Sequence, residues 1–167
     1  MSGRLFGIDN VLDTDDWYTP PWIFLGLGLV FDLDVASPDI APSWIPARNR
    51  FTVADDGLLQ PWSGVVWCNP PYSAPTQWCR KWAQHPAGCI LLRADLSSSG
   101  PFAAFTAATS IYVAARRIQF VNGLGAPSGS VHFSTVILGR GPAADGAIVR
   151  LSEMAGGTAR LLKESLS

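Results

Sequence analysis

The segment Gly64-Val65-Val66-Trp67-Cys68-Asn69-Pro70-Pro71-Tyr72-Ser73 decides the fold. It begins as a hydrophobic, β-branched run of strand length, and the run stops at an amide, two prolines and an aromatic residue. This pattern is typical of a buried strand that ends in a stiff loop. Because ligands of α/β proteins bind at the carboxyl edge of the sheet, we expect the functional site to lie at this loop.

The two prolines restrict the conformation of the loop. Each fixes its own φ at about −65° and favours an extended conformation for the residue before it. The side-chain oxygen of Asn69 and the carbonyl oxygen of Pro70 are then two acceptors with set directions. Two acceptors suit an exocyclic amino group, and Tyr72 offers a ring on which a planar base can stack. A Pro-Pro-Tyr sequence that only closes a turn explains the same residues.

Asn69-Pro70-Pro71-Tyr72 resembles the signature of the amino-group methyltransferases that use S-adenosyl-L-methionine, chiefly the DNA adenine-N6 enzymes. The resemblance implies that the target base is flipped out of the duplex, that Asn69 and Pro70 hold its amino group, and that Tyr72 stacks on it. The predicted catalytic residues are therefore Asn69, Pro70, Pro71 and Tyr72.

Further motifs occur in the order found in the compact phage-type DNA N6-adenine methyltransferases. They are Trp17-x-Thr19-Pro20, Phe31-Asp32-Leu33-Asp34-Val35-Ala36, Asp56-Gly57-Leu58, Trp62-x-Gly64 and Arg117-Ile118-x-Phe120, followed by a Gly-rich loop. The resemblance covers roughly residues 17–138 and is more specific than the tetrapeptide alone. It implies a Rossmann-like methyltransferase sheet, S-adenosyl-L-methionine as cofactor, adenine in double-stranded DNA as acceptor, and no metal.

The resemblance places most cofactor contacts in the first half of the chain. Thr19 also predicts the N-cap of a short helix from Pro20 to about Leu27. Asp34 lies near the end of a predicted strand over residues 28–37 and is expected to bind the amino group of the cofactor. In place of the Gly-x-Gly turn that most methyltransferases carry after this strand, the chain has Ala36-Ser37-Pro38-Asp39. The predicted cofactor-binding residues are Tyr18, Thr19, Pro20, Asp34, Ala36, Asp55, Asp56 and Asn69. A plain Asp-Gly turn without a ligand also explains Asp55 and Asp56.

Charge is divided unevenly along the chain. Residues 1–56 hold nine aspartates and three arginines, whereas residues 57–140 hold six basic residues and one acidic residue. An acidic half can bind the cationic cofactor and a basic half can face DNA phosphates, although scattered surface charges explain the same counts. The predicted DNA-binding residues are Ser73, Arg80, Lys81, Arg116 and Arg117. The short chain leaves little room for a separate recognition domain, so we expect a short recognition sequence, with a homodimer as a possible arrangement.

Alternating hydrophobic segments predict an α/β fold. After the tetrapeptide we expect a helix over residues 74–84, a strand over 89–92, a helix over 99–108, and strands over 110–114 and 131–138. This order predicts a mostly parallel sheet with an antiparallel edge and helices on both faces. We expect residues 1–16 to be an acidic, flexible lead-in, residues 17–140 the catalytic domain, and residues 141–167 a helical tail of the same domain.

Composition excludes several other classes. The chain has 167 residues, is 48% hydrophobic and has a positive mean hydropathy, which is unlike a disordered protein. It has no apolar run of membrane length and no signal segment, and its three cysteines are not spaced as zinc ligands. We therefore expect a protein of the bacterial host cytoplasm that binds no membrane and no metal.

Two other functions fit the same motifs. Glutamine-N5 methyltransferases that act on proteins share Asn-Pro-Pro-Tyr, because a side-chain amide is also a planar amine. A methyltransferase fold that has lost catalysis and only binds DNA would explain the missing glycine turn. Cytosine-N4 enzymes are similar in construction but usually have Ser at the position of Asn69.

Overall fold

The structure is a computed structural model that describes residues 17–128 and 133–163, which form a seven-stranded sheet with four helices. The helices are α1 (Pro21–Leu27), α2 (Thr76–Gln84), α3 (Ser99–Ala107) and α4 (Pro142–Ala155). The strands are β1 (Phe31–Asp34), β2 (Ala47–Arg50), β3 (Val66–Cys68), β4 (Gly88–Arg93), β5 (Ser110–Val113), β6 (Thr135–Arg140) and β7 (Thr158–Leu161). The predicted lead-in over residues 1–16 lies outside the described residues, as do the first two residues of the strand predicted over 131–138.

The sheet has the strand order β2-β1-β3-β4-β6-β5-β7. Strands β2, β1, β3 and β4 pair in parallel, and β5 runs in the same direction. Strand β6 lies antiparallel between β4 and β5, and β7 is an antiparallel edge. The predicted mostly parallel α/β sheet with an antiparallel edge is thus confirmed, but a second reversed strand lies inside the sheet. Five of the six residues of β6 are buried, because this strand is covered on both faces.

Helices cover both faces of the sheet, as predicted. On β4, Cys89 and Leu91 point to the face covered by α1 and α4, whereas Ile90 and Leu92 point to the face covered by α2 and α3. This alternation follows from the period of two in a strand. The result is a three-layer arrangement with a hydrophobic core on each side of the sheet.

The N-terminus of α1 differs from the prediction. Pro20, not Thr19, is the N-cap, and its carbonyl accepts the N–H of Ile23 at 3.1 Å. Thr19 makes no capping hydrogen bond, because the helix begins one residue later than predicted, at Pro21, and Pro20 occupies the cap position. Its hydroxyl is buried, with no hydrogen-bond partner among the described residues.

Asp32 of β1 links this strand to β2 and to the residue that precedes β3. Its carboxylate accepts the N–H of Val65 at 2.8 Å and pairs with Arg48 of β2 at 2.7 Å. These bonds lower the pKa of Asp32 below its usual range. Asp32 is therefore a structural residue, in contrast to Asp34 two residues later.

The Asp-Gly turn is held in place by Lys81 of α2. The Lys81 ammonium donates to the carbonyl oxygens of Gly57, Leu58 and Gln60 and lies 4.9 Å from the centre of the Trp62 ring. An ammonium has three hydrogens to donate, and three carbonyls accept them. Lys81, which the sequence suggested as a DNA contact, therefore secures the loop over residues 52–60.

Replacing Lys81 should destabilise the protein. Lys81→Met removes three charge-assisted hydrogen bonds but keeps the aliphatic stem, so we expect a loss of about 1–2 kcal/mol after allowance for partial exposure. Unfolding in urea measures this loss. Arg80→Met is the matched control, because Arg80 is the exposed neighbour on the same helix, and its effect should stay below about 0.5 kcal/mol. Equal effects of the two changes would contradict the role assigned to Lys81.

Candidate active site

A cavity of about 270 Å³ lies at the carboxyl ends of β1 and β3. It is bounded by the segment before α1, the turn after β1 and the loop after β3. Its lining residues are Trp17, Tyr18, Thr19, Asp34, Ala36, Ser37, Pro38, Ile45, Val53, Trp67, Asn69 and Pro71. The predicted position of the site, at the end of the Gly64–Cys68 run, is therefore the position of a cavity.

The Asn69 side chain has one end fixed and the other unused. Its Nδ2 donates to the carbonyl of Trp17 at 2.9 Å, which sets the orientation of the amide. Its Oδ1 is buried and accepts no hydrogen bond within the part of the chain that the structure describes. A buried acceptor without a donor costs about 1–3 kcal/mol. The cavity thus contains an acceptor that a ligand with an N–H group would satisfy.

The segment before α1 is tied to the rest of the site by backbone bonds. Tyr18 and Val121 exchange two hydrogen bonds of 3.1 Å, and the Trp44 indole donates to the Thr19 carbonyl at 3.0 Å. Because this segment carries the Trp17 carbonyl that holds Asn69, the two walls of the cavity are linked. The Thr19 hydroxyl adds a second unpartnered polar atom to the lining.

Asp34 is a buried carboxylate at the end of β1. Only 2% of its surface is exposed, and burial raises its pKa to about 6. The N–H of Ala36 donates to it at 3.3 Å, and this bond, a hydrogen bond from the Ser37 side chain and the charge of Arg50 partly offset the effect of burial. Because burial still dominates, the carboxylate is suited to a cationic or hydroxyl-bearing ligand.

Tyr72 lies beyond Pro71 and does not line the cavity. Its ring meets Phe120 and Phe133 edge to face, with ring centres 6.0 and 5.1 Å away. Its hydroxyl is buried without a hydrogen-bond partner among residues 17–128 and 133–163, and burial raises the pKa of Tyr72 well above its usual range. An aromatic wall therefore adjoins the cavity, and stacking of Tyr72 on a base stays a prediction.

The predicted cofactor residues divide into two groups. Tyr18, Thr19, Asp34, Ala36 and Asn69 line the cavity, whereas Pro20, Asp55 and Asp56 do not. The Asp55 carboxylate accepts the N–H and the hydroxyl of Thr52 at 2.8 and 3.0 Å and so closes the turn. The turn interpretation of Asp55 and Asp56 therefore fits the structure better than the ligand interpretation.

The predicted DNA contacts lie outside this cavity. Ser73, Arg80, Arg116 and Arg117 are exposed, and the last two line a second cavity of about 400 Å³. Its other lining residues are Trp22, Tyr112, Ala114, Ala115, Met154 and Ala155. Arg116 and Arg117 follow the carboxyl end of β5, so these residues of the second cavity lie toward the same edge of the sheet as the first cavity.

Sequence reasoning missed several residues at the site. Ser37, Ile45 and Val53 line the cavity but were not predicted as site residues, and Trp17 was noted only as part of the Trp17-x-Thr19-Pro20 motif. Arg50 is not a lining residue, but it lies beside Asp34 on the edge strand β2, and its position at the end of that strand is the signal that could have found it. The described residues contain no cluster of His, Cys, Asp and Glu that could hold a metal, and none of their helices is long and apolar enough to cross a membrane.

Changing Asp34 should alter how stability depends on pH. Because its folded-state pKa of about 6 exceeds the ordinary 3.8, the folded protein binds this proton more tightly than the unfolded chain does. That stabilisation is full below about pH 4 and is lost as the pH rises through 6. The unfolding free energy of Asp34→Asn relative to the native protein should therefore increase by about 2 kcal/mol between pH 4 and pH 7.

Denaturant unfolding at several pH values between 4 and 7 checks this expectation. Asp32→Asn is the control, because the pKa of its carboxyl lies below the ordinary 3.8, so its difference should stay nearly constant between pH 4 and pH 7. A difference for Asp34→Asn that does not vary with pH would contradict the burial of an ionisable carboxyl at the site.

Comparison with known proteins agrees with the family resemblance. A family model described as DNA N-6-adenine-methyltransferase (Dam) matches residues 9–138. No curated protein and no solved structure matches the chain. The family model spans most of the 167 residues, including the Asn69–Tyr72 loop and Asp34. The chain therefore belongs to the DNA N-6-adenine-methyltransferase (Dam) family.

Proposed function

We propose that this protein transfers a methyl group from S-adenosyl-L-methionine to the N6 amino group of adenine in double-stranded DNA. The observation that carries the proposal is Asn69, whose amide is fixed by Trp17 while its Oδ1 stays buried and unpartnered within the described residues. An exocyclic amino group is a donor that such an acceptor can bind. Membership of the Dam family supports adenine in DNA as the carrier of that amino group.

The cavity has the chemistry that the cofactor needs. When bound, S-adenosyl-L-methionine supplies an electrophilic methyl group on a positively charged sulfur. The Asp34 carboxylate would accept hydrogen bonds from the ammonium group of the cofactor. The Thr19 hydroxyl would bind a second polar group of the cofactor, because it is buried without a partner among the described residues. Tyr18 and Ala36 would complete the wall.

The missing glycine turn does not oppose this proposal. In dinucleotide-binding proteins the glycines let the backbone approach a pyrophosphate closely. S-adenosyl-L-methionine carries no phosphate, and here the Ser37 N–H is already bound to the Phe51 carbonyl at 2.8 Å. A turn built from Ala36, Ser37 and Pro38 can therefore line the cofactor site of a Rossmann-like sheet.

The proposed catalysis consists of holding and orienting the amino group. Asn69 Oδ1 and the Pro70 carbonyl would each accept one of its hydrogens, which directs the nitrogen lone pair away from the base ring. These two hydrogen bonds strengthen as positive charge develops on the nitrogen, so they stabilise the transition state more than the ground state. Pro71 keeps the loop rigid, and Tyr72 would stack on the flipped base.

We propose that DNA lies across the carboxyl edge of the sheet. Arg116 and Arg117 would contact the phosphate backbone beside the second cavity, with Ser73 and Arg80 as further contacts. Residues 17–140 would form the catalytic domain. The residues after position 140 would belong to the same domain, because Arg150 of α4 donates two hydrogen bonds, of 2.9 and 3.1 Å, to the Leu27 carbonyl of α1. We propose the bacterial cytoplasm as the place of action.

Replacing Asn69 should abolish most turnover while sparing cofactor binding. Asn69→Ala removes one of the two acceptors, so methyl transfer should slow by about 10²-fold or more. Loss of one oxyanion-hole donor slows acyl-transfer enzymes by a similar factor. Cofactor affinity should change by less than about threefold. Single-turnover transfer of tritium to DNA and calorimetric titration of cofactor measure the two quantities. Asn49→Ala, which alters an exposed asparagine of β2, should leave both unchanged, and a wild-type rate in Asn69→Ala would refute the mechanism.

Replacing the two exposed arginines should weaken DNA binding alone. In Arg116→Gln/Arg117→Gln, the slope of log KM for DNA against log salt should decrease by about two, because each phosphate contact contributes about one. The value of kcat should stay near that of the native enzyme. Arg160→Gln, on the edge strand β7, is the control and should leave the slope unchanged. Unchanged salt dependence in the double variant would remove Arg116 and Arg117 from the DNA surface.

A further inference from the structure

Arg50, the last residue of β2, has a guanidinium nitrogen that the fold leaves unused. Its Nη1 is buried, with no hydrogen-bond partner in the described part of the chain. Its Nη2 makes one long contact, 3.5 Å, with the carbonyl of Ala47. A guanidinium nitrogen that is buried without an acceptor is costly, and a negative group is the acceptor that suits it best.

Arg50 does not itself line the cavity, but it lies beside Asp34, which does. The two residues are direct partners in the parallel pairing of β1 and β2, and the Phe51 N–H donates to the Asp34 carbonyl at 2.8 Å. The charge of Arg50 lowers the pKa of Asp34, but the two side chains form neither a hydrogen bond nor an ion pair with each other. A half-buried cation and a buried anion thus lie side by side, and the buried Nη1 of the cation has no acceptor among the described residues.

This pair complements a zwitterion. An α-amino acid carries an ammonium group and a carboxylate on one carbon, and the two groups need one anionic and one cationic partner. Asp34 supplies the anion and Arg50 the cation. In S-adenosyl-L-methionine the carboxylate of the amino-acid end is the one anionic group, so it is the group that a guanidinium would select.

We propose that Arg50 and Asp34 form a subsite for the zwitterionic amino-acid end of the cofactor, in which Arg50 binds the carboxylate and Asp34 the ammonium. The proposal rests on the proposed function, because it assigns one end of the same cofactor. Arg48 on the same strand is not part of this subsite. It is exposed and already paired with Asp32 at 2.7 Å.

Ligands with and without the carboxylate test the subsite. S-adenosyl-L-homocysteine keeps the amino-acid end, and its decarboxylated analogue keeps the amine and the adenosine but lacks the carboxylate. Calorimetric titration would compare both ligands on the native protein, on Arg50→Gln and on Arg48→Gln. A charge-assisted hydrogen bond corresponds to about a 10- to 100-fold change in affinity.

The expected result is specific to one ligand. Arg50→Gln should bind S-adenosyl-L-homocysteine about 10- to 100-fold more weakly than the native protein, and the decarboxylated analogue within about twofold of it. Arg48→Gln should match the native protein with both ligands. Arg50→Lys, which keeps the charge but not the fork of donors, should lie between the native protein and Arg50→Gln for S-adenosyl-L-homocysteine, and it provides the test if Arg50→Gln does not fold.

Two results would overturn the subsite. An equal loss for both ligands in Arg50→Gln would indicate a structural role or a contact with the ribose, and no loss would show that Arg50 does not touch the cofactor. If the native protein bound neither ligand, the proposed cofactor would be wrong. That result differs from both outcomes above, in which the native protein binds the ligands and only the effect of Arg50→Gln is in question.

Discussion

The hydrogen bond from Asn69 to the Trp17 carbonyl is the contact on which the site depends. It joins the loop after β3 to the segment before α1, two pieces of chain that are far apart in sequence. It also settles which end of the amide faces the backbone and which is left for a ligand. The remaining restraints, the proline pair and the Tyr18–Val121 backbone bonds, keep the partners of this contact in place.

The site is assembled from groups that the fold leaves unsatisfied. Among the described residues, Thr19, Arg50, Asn69 and Tyr72 each bury a polar side-chain atom without a partner near the carboxyl edge of the sheet. Asp34 adds a carboxylate whose pKa is raised by burial. Such groups oppose folding, so hydrophobic burial on both faces of the sheet must offset their cost. Their concentration at one edge is the physical basis for expecting a polar, partly cationic ligand there.

Local pattern predicted much of this structure. The strand before Asn69, the helices α2 and α3, and strands β4 and β5 follow from hydrophobic period and from turn residues close in sequence. The cavity position followed from the rule for the carboxyl edge of α/β sheets. What sequence could not supply depends on long-range pairing: the internal place of β6, the edge strand β7, the use of Lys81 to hold a loop, and the position of Arg50 beside Asp34. The prediction of Thr19 as N-cap was wrong, because the helix begins one residue later than the motif indicates and Pro20 takes the cap position.

The most direct test of the central claim is the identity of the methylated product. The purified protein would be incubated with tritiated S-adenosyl-L-methionine and unmethylated duplex DNA, with a protein acceptor in a parallel reaction, and the DNA digested to nucleosides. The account predicts label in N6-methyladenine. Label on protein glutamine, on N4-methylcytosine, or on neither acceptor would contradict it.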